Sequence, residues 1–86
     1  MMPKYIKRPV VIDALQWTGK NKEEILKFCT DCYLSYSNAN LEPELKIQTL
    51  EGTMTATVGD YIIMVIKGEF YPCREDIFLE TYNKVI

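Results

Sequence analysis

The chain contains no histidine. That removes Ser–His–Asp and Cys–His nucleophile centres, and with them every metal site that needs an imidazole ligand. Cysteine is scarce: Cys29, Cys32 and Cys73 are one thiol short of a four-thiolate structural zinc set. Cys29-Thr30-Asp31-Cys32 is a CxxC, but it falls at the C-terminal end of a predicted helix, where the dipole disfavours a thiolate, whereas redox pairs use a helix N-terminus. All three cysteines are therefore expected as reduced, buried and metal-free. Long apolar runs are missing too. The longest, Tyr61 to Ile66, is far below the ~20 residues of a membrane-spanning helix. Asp13 interrupts the apolar Val10-Val11-Ile12, so the N-terminal stretch has no signal-peptide core, and a cytoplasmic protein is expected. Basic charge is short as well: a net charge of −2 argues against broad, non-specific nucleic-acid binding. No Walker-type glycine loop is present, and no spacing brings Asp60 to Glu69 or pairs Glu75 with Asp76 for acid–base work. We assign no catalytic residue, no metal and no cofactor, and do not expect an enzyme.

What is present suits one small α+β domain spanning all 86 residues, since 48% apolar and 26% charged side chains are ordinary for a globular chain. Residues 9–17 follow a proline and alternate loosely, predicting a strand with Val11, Asp13, Leu15 and Trp17 on one face. After the turn at Thr18-Gly19-Lys20, Asn21 with Glu24 three residues on predicts a helix start, the Asn side chain accepting an orphan N–H. The helix should run over about 21–31, with Ile25, Phe28, Cys29 and Cys32 as its apolar stripe and Lys22, Glu23 and Lys27 in water. Tyr33 to Ser37 reads as a short strand. Residues 38–44 read as a turn-rich loop that would tolerate insertion.

From Leu45 to Cys73, strands joined by two-residue turns at 51–52, 59–60 and 67–68 predict an antiparallel meander. Those turns set Ile47 opposite Ala56, Ala56 opposite Ile63, and Val65 opposite Phe70. They collect Leu45, Ile47, Met54, Ala56, Val58, Tyr61, Ile63, Val65 and Phe70 on one core face. The other face would carry Lys46, Gln48, Thr53 and Thr55 beside Ile62, Met64, Ile66, Glu69, Tyr71 and Cys73. Such exposed Ile, Met and Tyr predict a homo-oligomer. Pro72 cannot donate to a ladder, which places its strand at an edge or ends the pairing there. Residues 74–82 then predict a short closing helix, with acids in its first turn and Phe78 and Tyr82 at helical spacing.

A ligand site is expected where that edge strand meets the closing helix. Tyr71 supplies an aromatic face and Arg74 a charge-assisted donor at the helix start, with Lys67, Glu69 and Trp17 as further candidates. For each of these charges the plain alternative is a solvated surface, for Trp17 core packing, and Glu75 and Asp76 could satisfy the helix start internally.

The run VGDYIIMVIKGEFYPCREDIFLETY, with ALQWTG and LKIQTLEG before it, resembles a group of small proteins common in bacterial phages and prophages. Their members end in a similar GDYII, KGEFYPC, DIF and TY series. Glu75 departs from the pattern, where such proteins often carry a helix-starting proline. The resemblance implies a phage origin. By analogy with compact phage proteins it implies a binder that counters host defence, sequestering a small anionic, nucleotide-type immune signal between subunits. The alternative it leaves open is an accessory or structural phage protein that binds other proteins.

Overall fold

In a computed structural model, which describes residues 2–6, 9–37, 40–65 and 68–85, the chain forms six strands and two short helices. They run β1 (Asp13–Gln16), α1 (Lys22–Phe28), β2 (Cys32–Ser37), β3 (Asn40–Thr49), β4 (Gly52–Ala56), β5 (Tyr61–Val65), β6 (Glu69–Cys73) and α2 (Glu75–Thr81). The α+β class predicted from the sequence is the one observed. The strands form two antiparallel three-stranded sheets, ordered β1-β5-β6 and β2-β3-β4, instead of one meander.

The β3–β4 hairpin keeps its predicted faces but not its register. Thr49 pairs with Gly52 and Ile47 with Met54, so the turn lies at Leu50-Glu51. This displaces the pairing by two residues, and an even slip leaves every side chain on its face. Leu45, Ile47 and Ala56 are buried together, while Gln48, Thr53 and Thr55 face water and Lys46, half-buried beside them, donates to Thr55 Oγ1 at 2.7 Å. The expected loop before β3 is strand from Asn40 onward, pairing back to Ser37. Pro43 fits there because β4 has ended by this point: its last pair is Ala56 with Leu45, so one side of β3 needs no donor at Pro43.

At Gly59-Asp60 the predicted hairpin does not form. Gly59 N–H donates to Trp17 O at 2.7 Å and Trp17 N–H to Asp60 O at 2.8 Å, so this corner extends the β1–β5 ladder and carries the chain from one sheet to the other. Asp60 closes the corner by accepting Thr57 N–H at 3.0 Å, and Gly59 holds a left-handed φ of 103° that favours glycine.

The β5–β6 register differs by one residue from the prediction. Val65 pairs with Glu69 and Met64 with Phe70. A shift of one exchanges the faces of β5 relative to β6. Ile62 and Met64 therefore join Phe70 on the core side, and Tyr61, Ile63 and Val65 face outward beside Glu69, Tyr71 and Cys73. Ile66, assigned to the second face from the sequence, lies outside the described residues.

The core gathers Trp17, Ile25, Cys29, Leu45, Ile47, Ala56, Ile62 and Phe70, with Leu15, Phe28, Cys32, Leu34 and Met64 packed around them. Both sheets and α1 contribute, and β6 packs against β3 and β4. Each fully buried aliphatic or aromatic side chain contributes about 1.5–3 kcal/mol. Helix α1 buries Ile25 and Cys29 as its stripe predicted and leaves Lys22, Glu23 and Lys27 exposed. Its start differs in detail. Asn21 Oδ1 accepts Thr18 N–H at 2.9 Å, and Asn21 Nδ2 donates to Gln16 O and Glu24 Oε1, so the side chain ties the preceding turn to the helix instead of capping an orphan N–H.

The cysteines correct a further expectation. Cys29 and Cys32 are joined by a disulfide, and Cys73 is a free, half-buried thiol. Cys29 caps the end of α1 and Cys32 begins β2, so the CxxC bridges helix and strand at the edge of the core.

Candidate ligand-binding site

The outward face of the first sheet can be built row by row from its register. Gln16, Tyr61 and Cys73 form the row nearest α2, Ala14, Ile63 and Tyr71 the next, and Val65 with Glu69 the last paired row. Ile63 is 7% exposed at its centre.

Helix α2 docks at the first row through aromatic contact. Phe78 stacks on Tyr61 with ring centroids 3.9 Å apart and planes 7° from parallel, and Tyr82, one turn on, lies 5.0 Å from Phe78. The spacing of Phe78 and Tyr82 was legible in the sequence. Their partner Tyr61 was not, because the predicted register turned it inward. Gln16 Nε2 adds a polar anchor, donating to Glu75 Oε2 at 2.6 Å and to Gly59 O at 3.0 Å.

Arg74 stands where β6 passes into α2. Its side chain is 72% exposed and pairs with Asp76 at 2.9 Å, and Asp76 also accepts Ile77 N–H at 2.9 Å. The acids of the first turn thus engage this helix start, as the sequence allowed. Tyr71 is half-buried on the outward face of β6, three residues before Arg74 in the chain. Partial desolvation raises its hydroxyl pKa above the ordinary value, and the carboxylates of Glu69 and of Glu51 in the β3–β4 turn add to the rise. Cys73 is raised by the same causes in the same order: desolvation first, then the charges of Asp60 and Asp76.

Of the five predicted site residues, the structure brings Tyr71 and Glu69 to one face and sets Arg74 at its end. Lys67 lies outside the described residues. Trp17 does not belong to the site: at 2% exposure it is packed in the core on the opposite side of the first sheet, with no ring face free for a ligand. Two open depressions, of about 650 Å³ beside Lys20 to Glu24 and Lys27, and of about 280 Å³ between Val10 to Asp13 and the end of β5, are lined by none of the five. Among the described residues no cluster of three or more Cys, Asp or Glu is placed to hold a metal ion, and no helix is long and apolar enough to cross a membrane.

Comparison with protein-family models, curated proteins and solved structures finds no match to this chain.

Proposed function

We propose that this chain is a small phage-type binding protein that counters host defence in the host cytoplasm without chemistry, by sequestering an anionic, nucleotide-like ligand. The observation that supports it best is the exposed Arg74 at the end of a face carrying Tyr71. An ion pair this exposed is worth only about 0–1 kcal/mol, so a phosphate that engages the guanidinium displaces Asp76 at little cost. The acids around Tyr71 oppose a phosphate there, which assigns the charged end of the ligand to Arg74 and its ring to the aromatic end of the face.

The centre of this face is already closed, with Ile63 7% exposed, so a ligand has room only at the Arg74 end, where a second copy would add a wall. Of the side chains that predicted a homo-oligomer, Ile62 and Met64 are in the core, Tyr71 stays on the outward face and Ile66 lies outside the described residues. Other apolar side chains take their place: Ile77 and Leu79 on α2, and Met2, Tyr5 and Ile6 in the N-terminal stretch, are all exposed. The test is thermal unfolding of the purified protein against linear and cyclic nucleotides, where a ligand at 100 times its Kd adds about 2.7 kcal/mol. A recovered, unaltered nucleotide supports sequestration. No shift with any nucleotide overturns it, and turnover of the ligand overturns the non-catalytic reading.

The same exposed apolar residues favour a second reading, an accessory protein that binds another protein. Capture of one defined partner in a pull-down, by protein that carries and binds no nucleotide, selects that reading.

A further inference from the structure

We propose that Cys29–Cys32 is a reversible dithiol/disulfide couple, opened and closed by exchange with a dithiol reductant while the domain stays folded. Three features of its surroundings carry this. First, the loop it closes is already shaped by the backbone. Cys29 N–H donates to Ile25 O at 2.7 Å, Cys32 N–H to Cys29 O at 3.4 Å, and Gln48 N–H to Asp31 O at 2.9 Å. These bonds hold the end of α1 against the start of β2 whether or not the sulfurs are joined, so the reduced thiols remain neighbours and can close again.

Second, neither sulfur needs the bridge to be accommodated. Cys29 is 1% exposed among Ile25, Leu45 and Ile47, and Cys32 packs at the edge of the same cluster. A reduced thiol is a small apolar group in such a setting. A bridge of so short a span also restrains the unfolded chain far less than one between distant segments. The reduced form is therefore a folded one.

Third, the two sulfurs differ in access. Cys32 is half-buried at the first position of β2, and Cys29 is enclosed, so Cys32 is the more accessible of the two and the sulfur we assign to attack by an external thiolate. Attack there forms a mixed disulfide at Cys32 and breaks the Cys29–Cys32 bond, with Cys29 leaving as a thiolate that takes up a proton. The second thiolate of the reductant then attacks its own sulfur in the mixed disulfide and releases Cys32. The protein gains two electrons and two protons, and the dithiol leaves as a cyclic disulfide. Cys73 is a poor competitor, since burial and the charges of Asp60 and Asp76 keep its thiol protonated.

The experiment equilibrates the folded full chain in stepwise ratios of reduced to oxidised dithiothreitol, quenches with acid, unfolds the quenched sample so that the enclosed Cys29 can be reached, labels with N-ethylmaleimide and reads labelling by peptide mass, with circular dichroism of the unquenched sample in parallel. A Cys73→Ser variant guards against scrambling. The expected result is one reversible transition in which Cys29 and Cys32 gain label together, the dichroism spectrum is unchanged, and Cys29→Ser abolishes the transition. Three outcomes overturn the proposal: Cys29 and Cys32 labelled at every ratio, a bridge that yields only with denaturant present during equilibration, or loss of the folded spectrum on reduction.

Discussion

Phe28 at the end of α1 meets Phe70 on β6 edge to face, ring centroids 5.6 Å apart at 80°. The contact ties α1 to the first sheet across a long sequence separation. Phe70→Ala should cost about 3–5 kcal/mol in urea unfolding, enough to leave a domain of this size close to unfolding. A milder cycle of Phe28→Leu and Phe70→Leu should show a coupling of about 0.5–1.5 kcal/mol. Additive single changes would mean that the rings do not interact.

The faces of β5 can be tested directly. Ile62 is fully buried and Val65 is not, so Ile62→Ala should destabilise the fold by about 2–5 kcal/mol and Val65→Ala by clearly less. The reverse ranking would restore the register predicted from the turns.

Helix α2 should be the part of the fold that detaches most easily, because none of its residues is fully buried and its docking rests on Phe78 against Tyr61. Phe78→Ala should raise amide hydrogen exchange across 75–81 while leaving β5 protected. Protection that is unchanged in α2 would show that its other contacts suffice.

Alkali should weaken the fold through Cys73 and Tyr71, whose folded pKa values both lie above the ordinary 9.0 and 10.0. A raised acid holds its proton better in the folded state, so its contribution is full below the unfolded value and is lost as pH climbs through the folded one. The melting temperature should fall from about pH 9 upward, and Cys73→Ala with Tyr71→Phe should flatten that fall. A double variant with the wild-type slope would assign the loss to other groups.

Arg74→Ala should leave the fold intact, since its ion pair with Asp76 is exposed, yet lower affinity for a nucleotide ligand roughly tenfold to a hundredfold in calorimetry, the loss of a charge-assisted contact of about 1.5–3 kcal/mol. Unchanged affinity would move the site away from this end of the sheet.

Where polar and apolar residues alternate, local pattern placed Leu45, Ile47 and Ala56 inward as predicted, although Met54 and Val58, expected on the same core face, are exposed. LKIQT and TMTA have one apolar and one polar side, so Leu45, Ile47 and Ala56 are committed inward even though the turn itself sits two residues from its predicted register. The α1 stripe of Ile25 and Cys29 is legible for the same reason. Tyr61 to Val65 is apolar on both sides, and its parity carries no information. Which side faced the core was settled by β1 and β6, which occupy both edges of β5, leave β4 no edge to pair with and split the expected meander into two sheets. Tyr61 became the dock for α2 and Trp17 became core by the same decision. The candidate site was half legible: Tyr71, Glu69 and Arg74 follow from strand alternation and the helix start in adjacent sequence. The partners of Tyr71 and Arg74 come from chain neighbours and from Glu51 across the fold, and only packing brings Glu51 there. The sulfur pair marks the same boundary, since spacing placed Cys29 and Cys32 at a helix end, but their joining depended on the direction in which β2 leaves α1.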